Sequence, residues 1–217
     1  ALDIAKEITI STWVNITGWG ASAFPKILSK YGSSGTEVNY MLDHSAAGHQ
    51  PRFYFYSAGA WRGTEGTALQ LNTWYHLVAT YNGTNISLYV NGKLNSTSTY
   101  TGSMTAYAGD DLRIGHGKGL ASEYFTGAID EVLVLNMSIS VDQVMLLYQN
   151  RTDRIHFNDT EKGDVWRACI TPNDGTHDGA ENCSNNLTIR NSQPVTSNVV
   201  LNSTYGTNYT HENLTVY

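Results

Sequence analysis

The sequence predicts an all-β fold of the sandwich type, and three observations predict it. Ile8, Ile10, Val14 and Ile16 share one parity of EITISTWVNITGW, with Thr12 the exception. A period of two places side chains on one face of a strand. FYFY at 53–56 and WYHLVATY at 74–81 are apolar at both parities, as expected of strands covered on each side. Asn82-Gly83 and Asn91-Gly92 are hairpin signals, because a type I′ turn needs positive φ at both central residues.

The elements follow in order. EITISTWVNITGW opens the chain as a strand, and the FYFY segment is a further one. WYHLVATY runs into the first Asn-Gly turn, and ISLYV at 86–90 spans the interval to the second. GAIDEVLVLN at 127–136 is another strand. SVDQVMLLYQN is a helix: Ser140 and Gln143 have capping-box spacing, and Val141, Val144, Met145 and Tyr148 share a face.

Near residue 150 the character changes. DVWRACITPNDGTHDGAENCSNNLTI reads as a smaller hairpin around NDGTHDG, whose Asn, Asp and Gly tolerate unusual φ. With Thr176 at its centre, Cys169 and Cys183 fall opposite one another. Cross-strand Cα atoms lie ~4.5–5.5 Å apart, a separation that a disulfide accepts. A bridge is the simplest reading, and two free buried thiols are the alternative. The tail QPVTSNVVLNSTYGTNYTHENLTVY alternates again. It reads as the first strands of a following repeat, or as a strand donated to a neighbour. The predicted domains are 1–149, 150–193 and 194–217.

Composition narrows the function classes. Charged residues make up 15% of the 217, and the formal net charge is −6 without basic clusters. That balance excludes nucleic acid and anionic membrane surfaces as natural partners. No run approaches the ~18 apolar residues of a membrane span. The first residue is Ala1, so the chain is expected to be a mature or excised portion of something longer. Twelve of nineteen Asn head an Asn-X-Ser/Thr triplet: Asn15, Asn82, Asn85, Asn95, Asn136, Asn150, Asn158, Asn182, Asn186, Asn202, Asn208 and Asn213. Low charge with so many acceptors points to an extracellular or cell-surface protein carrying covalent N-glycans. Turn-rich Thr/Asn composition is the plainer alternative.

WYHLVATYNGTNISLYVNGKL, followed by FTGAIDEVLVLNMSISVDQVMLLY, resembles the laminin-G-like (concanavalin A-like lectin/glucanase) domain family over residues 2–149. The resemblance implies a jelly-roll sandwich of two antiparallel sheets. The strand that usually precedes ITISTWV is reduced here to ALDI, which leaves an edge for another segment to cover. GDVWRACITPNDGT and ENCSNNLTI resemble the end of an immunoglobulin-like repeat of large archaeal surface proteins, and NVVLNSTYGTNYTHENLTVY resembles the start of the next copy.

Each chemistry that the family allows has a residue test. A retaining glucanase needs two carboxylates about 5–5.5 Å apart, supplied in laminarinase-type members by Glu-x-Asp-x-x-Glu. That spacing does not occur here, and Asp130 and Glu131, being adjacent on a strand, are expected on opposite faces. No catalytic residue is assigned, and the chain reads as a non-enzyme. None of the seven His forms a metal-binding pair, and His76 reads as a hydrogen-bonded core residue. The resemblance implies Ca²⁺, with Asp110, Asp111 and Asp130 as candidate ligands; solvated turn acids are the alternative. It also implies sugar binding by loop aromatics, for which Trp19, Trp61, Tyr107 and Tyr124 are candidates; packing as lids is the alternative. The function expected first is a structural or adhesive repeat of a glycosylated filament or surface coat, partnered by copies of itself. A carbohydrate-binding lectin-like module comes second, and a glycoside hydrolase third.

Overall fold

Period-two patterning becomes two five-stranded antiparallel sheets. The structure, a computed structural model, describes residues 2–31, 38–107, 109, 111–118, 123–172, 174, 176–190, 201–203 and 214–216. In chain order the strands are β1 (Ile8–Gly18), β2 (Lys26–Tyr31), β3 (Val38–His44), β4 (Pro51–Ser57), β5 (Ala60–Glu65), β6 (Trp74–Tyr81), β7 (Asn85–Val90), β8 (Lys93–Thr99), β9 (Arg113–Ile114) and β10 (Thr126–Leu135). The first sheet has the order β10-β1-β6-β7-β8 and the second β5-β4-β3-β2-β9. β1 therefore runs inside its sheet between β10 and β6. The exposed edge expected beside ITISTWV is not there, because β10 returns from far along the chain to fill it.

One face of each sheet is dry. Ile8, Ile10, Val14 and Ile16 form a single cluster with Leu77, Tyr81, Ile86 and Leu88 of their own sheet and Leu28, Tyr40, Leu42, Phe53 and Phe55 of the other. All are at most 1% exposed. Burying each such side chain stabilises the fold by about 1.5–3 kcal/mol before entropy is counted. Thr12, the one polar residue on that parity, donates its hydroxyl to the Asp130 carbonyl at 2.9 Å. On one side the two sheets are laced together: Ser98 donates to the Gly63 carbonyl at 2.8 Å, and Thr64 to Ser96 at 3.0 Å.

The outward faces differ. On the first sheet, helix α1 (Val141–Tyr148) covers Val78 and Tyr89 with Val144 and Leu147. Its N-cap is Ser140, which accepts from the Gln143 N–H. The reciprocal half of the capping box is replaced: Asp159 takes the Ser140 N–H at 2.8 Å, while the Gln143 side chain holds His156 N and Arg154 O. Of the expected face, Val144 is fully buried while Val141 is half exposed, and Leu147, not expected there, packs beside Val144. His76 lies beneath this cover, 2% exposed, with Ser11 Oγ 2.9 Å from Nε2. On the second sheet the expectation that FYFY is covered on both sides fails. Phe53 and Phe55 are fully buried, but Tyr54 and Tyr56 face outward and are only half-buried.

The chain divides into a unit of Ala1–Asp159 and a unit of Thr160–Tyr217. In the second, β11 (Val165–Trp166) pairs with β14 (Leu187–Thr188), and β12 (Cys169–Ile170) with β13 (Asn182–Cys183). Cys169 and Cys183 stand opposite each other and are joined as a disulfide. In the turn, the Asp174 carboxylate accepts from Thr176 Oγ1 and from the backbone N–H groups of Thr176 and His177. Those bonds favour its charged form and hold its pKa down at about 2. β15 (Leu201–Ser203) pairs with β16 (Leu214–Val216). No helix among the described residues is long and apolar enough to cross a membrane.

Candidate functional site

The open face of the second sheet is built row by row from strand register. The first row crosses four strands: Lys26 pairs with Asp43, Asp43 with Arg52, and Arg52 with Glu65. Charge alternates along it, the favourable arrangement for cross-strand neighbours. The next row is Met41, Tyr54 and Gly63, and one step further Tyr56 faces Trp61.

Asp43, 0% exposed, is the hub of the first row. Its Oδ2 accepts from Lys26 Nζ at 2.9 Å, and its Oδ1 from Arg52 Nε at 2.8 Å. Lys26 Nζ also donates to the Phe24 carbonyl at 2.8 Å and lies 3.5 Å from Glu123 Oε1. The Arg52 guanidinium lies between two rings, 3.6 Å from the Phe24 centroid and 4.9 Å from that of Tyr54, and its Nη1 reaches Glu65 at 3.5 Å. Such buried charges are tolerated because each is paired and hydrogen-bonded. Tyr31 donates its hydroxyl to Glu123. Burial, and then that bond, push the phenol of Tyr31 well above its ordinary range.

Gly63 shapes the second row. A Cβ there would sit 2.3 Å from the Phe53 carbonyl and 2.5 Å from the Tyr54 ring. The ring packs against the glycine as the floor of this stretch, with its hydroxyl anchored on Glu65 at 2.9 Å. Trp61 stands 43% exposed at one end, packed edge-on against Tyr56. The result is a cleft of about 360 Å³ lined by Phe24, Lys26, Tyr31, Met41, Arg52, Tyr54, Trp61 and Glu123. It joins ring faces, which stack on apolar C–H surfaces, to a polar rim, which reads hydroxyls.

A second cleft, of about 420 Å³, opens on the first sheet and is lined by Trp13, Trp74, Asp130, Glu131 and Asn150. It corrects the expectation that Asp130 and Glu131 point apart. A bulge between the pairs Ser11–Leu133 and Trp13–Asp130, with Glu131 at φ 49°, breaks the alternation and brings both residues to one cleft.

A family model described as the concanavalin A-like lectin/glucanases superfamily matches residues 1–145. The chain belongs to that superfamily. No curated protein sequence matches it. Among solved structures, the sialidase CBM40 of Ruminococcus gnavus, bound to α2,3-sialyllactose, aligns at TM-score 0.56 and 16% identity, over 68% of this chain and 85% of its own. Domain 4 of an extracellular GH43 arabinanase from Geobacillus stearothermophilus, in complex with arabinotriose, aligns at 0.52 and 17%, over 67% and 68%. The heptameric SAP-like pentraxin of Limulus polyphemus aligns at 0.52 and 16%, over 67% and 71%. At these identities the likeness is one of fold.

On this concanavalin A-like frame the candidate residues scatter. Trp61 lines the first cleft, but from strand β5 rather than from a loop. Trp19 is half-buried and stacked on His49 at 3.8 Å. Tyr107 offers its carbonyl to Asn39. Tyr124 is 55% exposed beside His116, next to Glu123 in the chain. Of the acids proposed for Ca²⁺, Asp111 pairs with Arg113 at 3.7 Å beside the second sheet, Asp130 lies on the first, and Asp110 falls outside the described residues. Among the described residues, the only group of three close ligand atoms is Cys169, Glu181 and Cys183, and its sulfurs are already bonded to each other.

Of the nine acceptor Asn with described side chains, seven are exposed: Asn82, Asn85, Asn136, Asn150, Asn158, Asn182 and Asn186. Asn15 is half-buried in β1, and Asn95 is tied to Thr67 by two hydrogen bonds. The side chains of Asn202, Asn208 and Asn213 lie outside the described residues.

Sequence reasoning missed Phe24, Lys26, Tyr31, Met41, Asp43, Arg52, Tyr54 and Glu123. One partial signal was available: Gly59, directly after the FYFY strand, which with Ala58 forms a two-residue turn at positive φ. That turn fixes the register which sets Arg52 opposite Glu65, and Tyr54 opposite Gly63.

Proposed function

We propose that the chain is a carbohydrate-binding, lectin-like module whose site is the cleft on the second sheet. The observation that carries this reading is the exposed Trp61 beside a floor made by Tyr54 over Gly63, with the Arg52–Glu65 rim at its other end. Membership of a lectin/glucanase superfamily supports it, as do the similar folds bound to sialyllactose and to arabinotriose. At this cleft the reading is binding rather than hydrolysis: Asp43 and Glu123 are committed to Lys26, Arg52 and Tyr31, which leaves neither poised as nucleophile or acid. The test is a glycan array followed by calorimetry on the intact chain. Micromolar binding that Trp61→Ala abolishes is the expected result, and binding untouched by that change would remove the cleft from the reading.

A second reading adds the setting. Seven exposed acceptor Asn and a disulfide favour an extracellular, N-glycosylated surface protein. In that setting the module is one repeat of a coat or filament, with neighbouring copies as partners, and its 150–193 segment belongs to an immunoglobulin-like repeat. The strand-donation idea rests on the tail, much of which lies outside the described residues. Glycopeptide mass spectrometry on protein from its natural source tests this setting, and bare Asn82, Asn136 and Asn186 would end it.

A further inference from the structure

The lectin reading leaves the ligand class open, and the charges of the cleft narrow it. The ammonium of Lys26 has three N–H donors, and three acceptors surround it: Phe24 O at 2.8 Å, Asp43 Oδ2 at 2.9 Å and Glu123 Oε1 at 3.5 Å. Its side chain is 4% exposed. The guanidinium of Arg52 spends one edge on Asp43, at 2.8 and 3.4 Å, and another N–H on Glu65 at 3.5 Å, while rings occupy the space over its faces. Residue Arg52 is 9% exposed. Neither cation is presented to a ligand as an open fork or a bare ammonium, which is how carboxylates and sulfates are recognised.

The balance runs the same way. Two cations, Lys26 and Arg52, face three carboxylates, Asp43, Glu65 and Glu123. Arg113, whose charge reaches Tyr31, is itself paired with Asp111 at 3.7 Å, which leaves one negative charge in excess. What stands open in the lining is Trp61 at 43% exposure and Phe24 at 38%; beside it on the rim, through its bonds to Arg52 and Tyr54, is the Glu65 side chain at 43%. Two ring surfaces and a carboxylate acceptor suit a sugar ring with a C–H face and free hydroxyls. An anionic group placed there meets Glu65 without a free counter-charge.

We infer that the cleft of the second sheet takes uncharged glycans and selects against carboxylated or sulfated ones, with Glu65 as the residue that sets this preference. The inference rests on the lectin reading of the same cleft. Its test is calorimetry on the intact chain with matched pairs: neutral oligosaccharides, lactose among them, each against its sialylated, uronate or sulfated counterpart. Where the neutral member binds, its charged counterpart is expected to bind about tenfold more weakly or not at all. Neutral binding should not change between low and high NaCl, because no ligand charge is there to be screened. Glu65→Gln should narrow the gap within a pair by improving the charged member. A charged member that binds as well as or better than its neutral partner overturns the inference and leaves the lectin reading standing. A gap unchanged in Glu65→Gln overturns the role of Glu65. Silence from every glycan, neutral and charged, sinks the lectin reading and the inference with it.

Discussion

On the first sheet, the outward residues Val78 and Tyr89 pack with Val144 and Leu147 of α1 and with Ile139 just before it. On the second, the outward residues Arg52, Tyr54 and Trp61 line an open cleft. Both sheets bury the same kind of inner face, so core packing does not separate them. The difference arises further along the chain. β10 delivers α1 to one side, and the other is left to hold itself with a cross-strand row of alternating charge. The part of the first sheet under α1 is closed by apolar cover and is structural, while its cleft at Trp13, Trp74, Asp130, Glu131 and Asn150 stays open. A face closed by paired charge stays accessible, and function can be placed there.

Four measurements break or sharpen that contrast. The largest effect is expected from Asp43→Ala, which strands Lys26 and Arg52 without their shared carboxylate. Removing one partner of a buried pair costs about 3–5 kcal/mol, readable by urea unfolding. A loss near zero would mean that the charged row does not hold its face together. Acid comes next. Burial disfavours the imidazolium of His76, whose pKa is lowered from 6.5 to about 4. The unfolded chain therefore takes up a proton that the folded chain refuses. Stability is full above pH 6.5, falls as pH drops through the window from 6.5 to 4, and levels off below it. His76 alone accounts for about 3 kcal/mol. His44, fully buried and also lowered by burial, adds in the same direction. A His76→Gln variant should flatten the slope; an unchanged slope would place the titration elsewhere. On the covered face, Val78→Ala should cost about 2 kcal/mol through two lost methyl groups and the hole they leave. Trp61→Ala on the open face should move stability by less than about 0.5 kcal/mol while removing glycan binding. If Trp61 proved as costly to stability as Val78, the two faces would not differ in kind.

Much of the frame was legible in the residues. The parity of Ile8 to Ile16, the Asn91-Gly92 turn, the Ser140 cap and the opposed cysteines are local or near-local signals, and each is found in the structure. Asn82-Gly83 differs from the expected two-residue turn: Asn82 is not at positive φ, and its side chain closes a longer loop by accepting from the Thr84 and Asn85 N–H groups. The site was not legible to the same degree. Lys26, Asp43, Arg52 and Glu65 meet only after β2, β3, β4 and β5 have aligned, and register is a tertiary property. The outward half of FYFY looked like a strand covered on both sides because Tyr fills either an interior or an open platform equally well. Asp130 and Glu131 misled for another reason: a non-glycine residue at φ 49° has no signature in sequence, so the bulge that unites them could not be read.

The shared carboxylate of Asp43 has an evolutionary corollary. The bonds that make the cleft floor are the bonds that keep two cations solvated inside the sheet, so substitutions at the floor are penalised before any ligand is offered. Diversification of binding among descendants of this chain should therefore be confined to its margins, at positions 24, 61 and 65, while the ionic row beneath persists.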